Sequence, residues 1–165
     1  MLREFTLNDF VLLESWITDA DILFRFSGPD WQFPLSRELL ENYMLNHPFR
    51  QFYIGLSDDG EPYAFGEIIS NEQHAPRLGR LLIGNAEQRG KGLGQKFVKE
   101  LLHECIKIHQ PDEIYLFVFE DNDIGIQCYL KSGFTFREEA YFRLNYQGQE
   151  VKVLKMVFKT RNERE

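Results

Sequence analysis

Arg89-Gly90-Lys91-Gly92-Leu93-Gly94 sets three glycines at alternate positions, between Gln88 and Gln95, with two cationic side chains among them. Glycine has no Cβ to hold a ligand away and adopts positive φ without strain. The stretch follows the apolar run Leu78 to Ile83 and opens the long amphipathic segment Phe97 to Ile108, so it reads as a strand-to-helix turn. There, unpaired N–H groups and the positive end of the helix dipole suit a diphosphate, and Arg89 and Lys91 supply counter-charge. The expected chemistry is retention of a phosphate-bearing cofactor; the alternative is a glycine-rich turn that binds nothing. Spacing removes ATP, because Gly94 is followed by Gln95-Lys96-Phe97 and no hydroxyl is placed for magnesium as a Walker loop requires. It also weakens a dinucleotide, whose G-x-G-x-x-G fingerprint needs its third glycine one residue later.

Arg89-x-x-Gly92-x-Gly94 resembles the [QR]-x-x-G-x-[GA] loop of the GNAT acyltransferase superfamily. Further on, Asn122-Asp123-Ile124-Gly125-Ile126-Gln127-Cys128-Tyr129-Leu130-Lys131-Ser132-Gly133-Phe134 is similar to that superfamily's N-x-x-[AG]-[IR]-x-x-[YF]-x-[KR]-x-G-F segment, in the expected order. The resemblance is specific over Leu78 to Phe134 and weaker outside it. It implies an acetyl-CoA-dependent N-acetyltransferase acting on a primary amine of a small molecule or protein. It also implies that Arg89, Gly90, Lys91, Gly92, Leu93, Gly94 and Gln95 hold the pyrophosphate of acetyl-CoA. Main-chain groups around Leu81, Leu82 and Ile83 would pair with the pantetheine amides and stabilise the oxyanion, Asn122 would hydrogen-bond the pantetheine arm, and Tyr129 would act as acid toward the CoA sulfur.

A lysine-like ammonium, with a pKa of about 10.4, is neutral only about once in a few thousand molecules at pH 7, so a route for its proton is needed. Many members of the superfamily carry a carboxylate in the strand before the loop; Leu78-Gly79-Arg80-Leu81-Leu82-Ile83-Gly84 has none. Glu67 in the neighbouring strand is the nearest replacement, Glu72 and His74 are further candidates, and proton loss through ordered water is the alternative. The missing carboxylate keeps open a second function, a non-catalytic acyl-CoA-binding sensor or scaffold. Leu2-Arg3, Asp9, Leu13, Trp16-Ile17 and Phe26-Ser27-Gly28-Pro29 resemble the acceptor side of aminoglycoside 6'-N-acetyltransferase-like and ribosomal-protein-acetylating members. Asp30, Trp31 and Phe33 could there receive a cationic, partly apolar acceptor.

The elements that must position these groups follow from pattern. Leu2 to Leu7 reads as a strand, and Thr6 or Asn8 caps a helix carrying Phe10, Leu13 and Trp16. Ile22 to Phe33 reads as irregular around Gly28-Pro29-Asp30, and a second helix begins at Ser36 and ends before Pro48. Phe52–Leu56 and Tyr63–Ser70 form a hairpin, Leu78 to Gly84 pairs beside it, and the long helix follows, stopped by Pro111. A buried strand, Ile114 to Phe119, leads to a short helix ended by Gly133. A final hairpin pairs Thr135–Tyr146 with Val151–Phe158, leaving a frayed polar tail from Thr160 to Glu165. The order β-α-α-β-β-β-α-β-α-β-β implies one α/β domain over residues 1–165, with helices flanking a mixed, mostly antiparallel sheet.

The chain is 43% hydrophobic and 15% aromatic, a globular composition whose 15 phenylalanines fall mostly within apolar runs and read as core. Its net charge of −7 argues against non-specific nucleic-acid binding and is compatible with a cationic acceptor such as a polyamine, lysine or amino sugar. Two cysteines, Cys105 and Cys128, make no disulfide framework, and no Cys/His cluster points to a metal. With no signal-peptide core and no membrane-spanning run, the expected compartment is the cytoplasm. A homodimer is expected from the resemblance alone.

Overall fold

A computed structural model describes residues 1–72, 75–84 and 86–161, so His74 and the last four residues of the polar tail lie outside the described residues. Eight strands form one sheet: β1 (Leu2–Glu4), β2 (Arg50–Leu56), β3 (Pro62–Ile69), β4 (Arg77–Ile83), β5 (Glu113–Phe119), β6 (Thr135–Phe136), β7 (Phe142–Tyr146) and β8 (Gln149–Lys159). Their order is β1-β2-β3-β4-β5-β8-β6, with β7 also on β8. Every pairing is antiparallel except β4 with β5. This is the mixed, mostly antiparallel α/β sheet that the residue pattern implied.

Strand alternation divides the core. Phe52, Ile54 and Phe65 point to a cluster closed by α1 (Phe10–Trp16), α2 (Ala20–Ser27) and α3 (Arg37–Asn46). Tyr53, Ile68 and Leu78 point to the other face, where α4 (Leu93–His109) buries Phe97, Leu101 and Cys105 and α5 (Asp123–Lys131) packs alongside. Among the described residues no helix is long and apolar enough to cross a membrane.

Three differences from the pattern reading bear on the site. The first strand stops at Glu4, because the Asp9 carboxylate accepts from the Thr6 N–H at 2.9 Å and turns the chain into α1. Residues 20–27 form α2, which runs into the stretch from Ile22 expected to be irregular: the Asp19 carboxylate accepts from the Ile22 N–H at 2.8 Å, and Gly28 ends the helix at φ +68°. Three helices, not two, therefore separate β1 from β2. The final hairpin is interrupted, since residues 138–141 leave the sheet between β6 and β7. The Tyr146 ring then stacks on Phe24 of α2, centroids 3.8 Å apart and 8° from parallel, fixing the hairpin against the helix that sequence pattern did not anticipate.

Where β4 ends, Gly84 donates its N–H to the Tyr63 carbonyl at 2.7 Å, and a Cβ there would stand 2.2 Å from Trp16 Cε2. Trp16 is buried and cannot swing aside. Gly84→Ala is expected to destabilise the fold by about 1–3 kcal/mol through overpacking, read as a lower urea midpoint with an unchanged m-value.

Candidate functional site

The site grows from one irregularity in β4. Register runs Phe65↔Leu82 but Glu67↔Gly79, so β4 carries one extra residue opposite Gly66, and Arg80 sits in the bulge at φ +47°. Pairing with β5 covers only Arg77↔Tyr115 and Leu78↔Leu116; beyond them the two strands part. Because Gly84 donates to Tyr63, alternation turns the Leu82 main chain toward β3 and that of Leu81 and Ile83 toward the gap. Leu82 is thus a core residue whose amide is committed to the sheet, which corrects its expected place in a cofactor site.

The glycine loop lies at the end of this gap. Gly90 and Gly92 have φ of +79° and +76°, and a Cβ on either would meet nothing within 4 Å. Gly92 is the N-cap of α4, with no side-chain cap and no acidic residue in the first turn. The amides of Leu93, Gly94 and Gln95 therefore have no intrahelical acceptor, and no serine or aspartate competes for them. Gly94 is placed differently: a Cβ there would lie 3.4 Å from Cys128 Sγ, in contact with α5. Arg89 and Lys91 are exposed, Arg89 reaching the Ile83 carbonyl at 3.4 Å, and Gln95 bonds the Lys131 carbonyl at 3.2 Å.

A cavity of about 350 Å³ opens on the gap. Its walls are the end of α2 with Gly28-Pro29-Asp30, β4 from Arg77 to Leu81, β5 from Phe117 to Phe119, and the β7–β8 hairpin. Asn122 and Tyr129 both line it. Asn122 caps α5, its Oδ1 accepting from the Gly125 N–H at 3.0 Å, which leaves its amide NH₂ free of any bond among the described residues. Tyr129 is half-buried, its ring edge-on to Phe134 at 6.0 Å, and among the described residues nothing hydrogen-bonds its hydroxyl. Burial, with Cys128 beside it, pushes the Tyr129 phenol well above its ordinary value, so it holds its proton.

The expected proton acceptor is differently placed. Glu67 has no exposed surface and does not line the cavity. Its Oε1 accepts from Tyr43 at 3.0 Å and its Oε2 from Arg80 Nη1 at 2.8 Å, so both oxygens are occupied by donors. Tyr43 is also bonded by Arg50 and, at 2.7 Å, by Arg80; burial, with Glu67 next, pushes its phenol up to about 12. Glu72 likewise faces away from the cavity, held by Arg77 Nε and Nη2 at 2.9 and 2.8 Å and by the Tyr115 hydroxyl at 2.9 Å. Of the acceptor-side residues, Asp30 lines the cavity, Trp31 is buried beneath it with its ring 4.5 Å from the Arg80 guanidinium, and Phe33 is exposed outside it. Pattern reading missed Arg25, Arg77 and Arg80, which all line the cavity. Arg80 was legible as a cation in an apolar strand; Arg25 required the helix that Asp19 caps. Among the described residues no group of three or more His, Cys, Asp or Glu could hold a metal.

The model of the Acetyltransferase (GNAT) family matches residues 14–134. Spermine/spermidine N(1)-acetyltransferase of Bacillus subtilis is 37% identical over 76 residues, 46% of this chain and 47% of that protein. The chain thus matches about half the length of that relative. Aminoglycoside N(6')-acetyltransferase type 1 of Klebsiella pneumoniae is 26% identical over 147 residues, 81% of this chain and 72% of that protein. Among solved structures, spermidine N-acetyltransferase of Vibrio cholerae with CoA and spermine superposes with a TM-score of 0.79 at 18% identity, covering 96% and 94% of the two chains. AAC(6')-Ib with acetyl-CoA and an aminoglycoside gives 0.76 at 22% identity over 99% and 98%. Both share this fold.

The Glu72–Arg77 pair has a pH signature. Burial alone would raise the Glu72 carboxyl, but the hydrogen bonds and charge of Arg77, with Tyr115, hold it below its ordinary 4.5. A depressed folded value stabilises the protein above the unfolded value and is lost as pH falls through it. Stability measured by urea unfolding is therefore expected to be level near neutrality and to fall as pH drops below about 4.5, and Arg77→Gln should flatten that decline.

Proposed function

The chain belongs to the acetyltransferase (GNAT) family, and from that premise we propose that it transfers the acetyl group of acetyl-CoA to a primary amine of a small molecule or protein. We read residues 1–165 as one catalytic domain working in the cytoplasm. The small amines named for the relatives, spermine, spermidine and aminoglycosides, support a small-molecule acceptor. One observation carries the proposal: a helix start left uncapped, behind two glycines whose missing side chains leave open space, at the end of a strand that parts from its neighbour. That is the shape and polarity a CoA diphosphate and pantetheine arm require.

In this reading the amides of Leu93, Gly94 and Gln95, with Arg89, Gly90, Lys91 and Gly92, bind the diphosphate. Leu81 and Ile83 offer their main chain to the pantetheine amides and to the thioester oxygen, and the free NH₂ of Asn122 serves the arm. Bound acetyl-CoA supplies an acyl carbon activated as a thioester. Tyr129 keeps a proton for the departing sulfur, which its burial and unbonded hydroxyl favour. Glu67, saturated by Tyr43 and Arg80, positions Arg80 and takes no proton; the ammonium loses its proton to water.

Tyr129→Phe is expected to lower kcat by about a hundredfold, the low end of general-acid catalysis, with KM for acetyl-CoA little changed. CoA-thiol release across an amine panel checks this; acetyl-CoA binding without release from any amine would instead indicate a sensor. Gly92→Val should abolish CoA binding by calorimetry: its Cβ meets no protein atom but fills the space before the helix, and φ +76° strains a branched residue, so a cooperative urea transition recorded alongside must show that the domain remains folded. Unchanged affinity would remove the loop from the cofactor site.

A further inference from the structure

Four charged side chains line the cavity: Arg25, Arg77, Arg80 and Asp30. The carboxylates that balance the arginines stand outside it. Arg25 is paired with Asp121 at 3.0 Å, Arg77 with Glu72 at 2.8 Å and Arg80 with Glu67 at 2.8 Å, and none of those three acids reaches the lining. The arginine of each pair, and not its carboxylate, is thus the member on the cavity wall, which makes the wall positive although the pairs are neutral overall.

Two of these guanidiniums have donors to spare. Arg77 uses Nε and Nη2 on Glu72, and among the described residues its Nη1 donates to nothing. Arg80 places Nη1 on Glu67 and Tyr43, while Nη2 reaches only Asp30, at 3.4 Å, long for a charge-assisted bond. Asp30 is itself 70% exposed, a loose partner that a better-placed anion can replace. Aromatic faces hold both guanidinium groups: Phe117 lies 5.4 Å from that of Arg77, and Trp31 and Tyr43 lie 4.5 and 4.8 Å from that of Arg80. Gly79 lies between the pairs: a Cβ there would stand 3.2 Å from Ile69 Cδ1, 3.6 Å from Arg77 Nη1 and 3.9 Å from Glu67 Oε2.

Building on the acetyl-transfer reading above, we propose that the acceptor is an amine that also carries a carboxylate, of the amino-acid class, with Arg77 and Arg80 as the residues that bind the carboxylate and set specificity. Phe26, Phe117 and Phe142 on the same walls receive its apolar portion. A polycation would meet three positive ends and one carboxylate. The same field favours the neutral amine over its ammonium, which lowers the demand for a base at a site whose nearest buried carboxylate is already saturated.

The test uses amines that differ only by the carboxylate: lysine and cadaverine, ornithine and putrescine, tyrosine and tyramine. Binding is measured by calorimetry with CoA present, and turnover by CoA-thiol release with acetyl-CoA. In at least one pair the carboxylate-bearing member is expected to bind at least tenfold more tightly, and Arg77→Gln should erase that preference. Asp30→Asn, an exposed change that leaves the fold alone, should strengthen carboxylate binding by removing the competitor, and decides the matter should Arg77→Gln fail to fold. Equal or tighter binding of the decarboxylated members, no binding by any member, or weaker binding in Asp30→Asn would overturn the proposal. Carboxylate-selective binding without thiol release would uphold this acceptor class and overturn acetyl transfer; unselective turnover would do the reverse.

Discussion

The site depends on the way β4 keeps one neighbour and loses the other. It stays hydrogen-bonded to β3 to its end, yet pairs with β5 through two residues only. The bulge at Arg80 makes both possible by adding a residue on one side of the ladder and increasing the local twist. A non-glycine residue at φ +47° is strained by about 1–2 kcal/mol. Here the strain is held by the side chain, because Arg80 bonds Glu67 and Tyr43 and lies against Trp31. A fully buried Glu67 is tolerated for the reciprocal reason: each oxygen has a donor, and removing Arg80 would leave its charge to the more distant Arg50, 3.8 Å away. Bulge and buried pair sustain each other, and the gap exists because of both.

Around that gap, each wall is fixed by a contact remote from it in sequence. Phe24 stacked on Tyr146 joins α2 to the β7–β8 hairpin, and Arg25 bonded to Asp121 joins α2 to the start of α5. The glycine loop is held differently, by close approach: Gly94 lies beside Cys128 of α5, and Gly84 against Trp16 brings the end of β4 to α1. The loop's open glycines, 90 and 92, carry no such packing duty. A side chain at 84 would disturb the scaffold, and one at 90 or 92 would fill the space in front of the helix.

Most of the scaffold was legible because its signals are local. The β2–β3 hairpin announces itself in Asp58-Asp59-Gly60-Glu61 and the long helix in its apolar period, while the start of α5 is marked by Asp121, Asn122 or Asp123, of which Asn122 is the cap. What escaped was non-local. The turn signal Gly28-Pro29 masked α2, whose cap Asp19 and apolar face, Leu23 and Phe26, lie before it. Glu67 looked like a base because spacing cannot reveal that Arg80 and Tyr43 occupy its oxygens from other elements. Leu82 looked like a cofactor contact because alternation along β4 has no phase until a hydrogen bond, Gly84 to Tyr63, sets it.

The same distinction governs charge. A net −7 suits a cationic acceptor only where the excess negative charge faces the site, and the lining of this cavity carries three arginines and one aspartate. Glu67, Glu72 and Asp121 stand behind the cavity wall, so their arginine partners, not they, present to its interior. In water a field of this kind is screened within about 8–10 Å, so charges spread over the rest of the surface contribute little inside a walled cavity. Orientation of a few paired groups outweighs the sum over the chain. Relatives that share the fold at below 25% identity need not share that orientation, since Arg25 projects from a helix and Arg77 from a strand, positions whose side chains can change while the backbone pairing persists. The charge of the cavity is therefore set by the way each ion pair is placed, a property that neither composition nor fold determines.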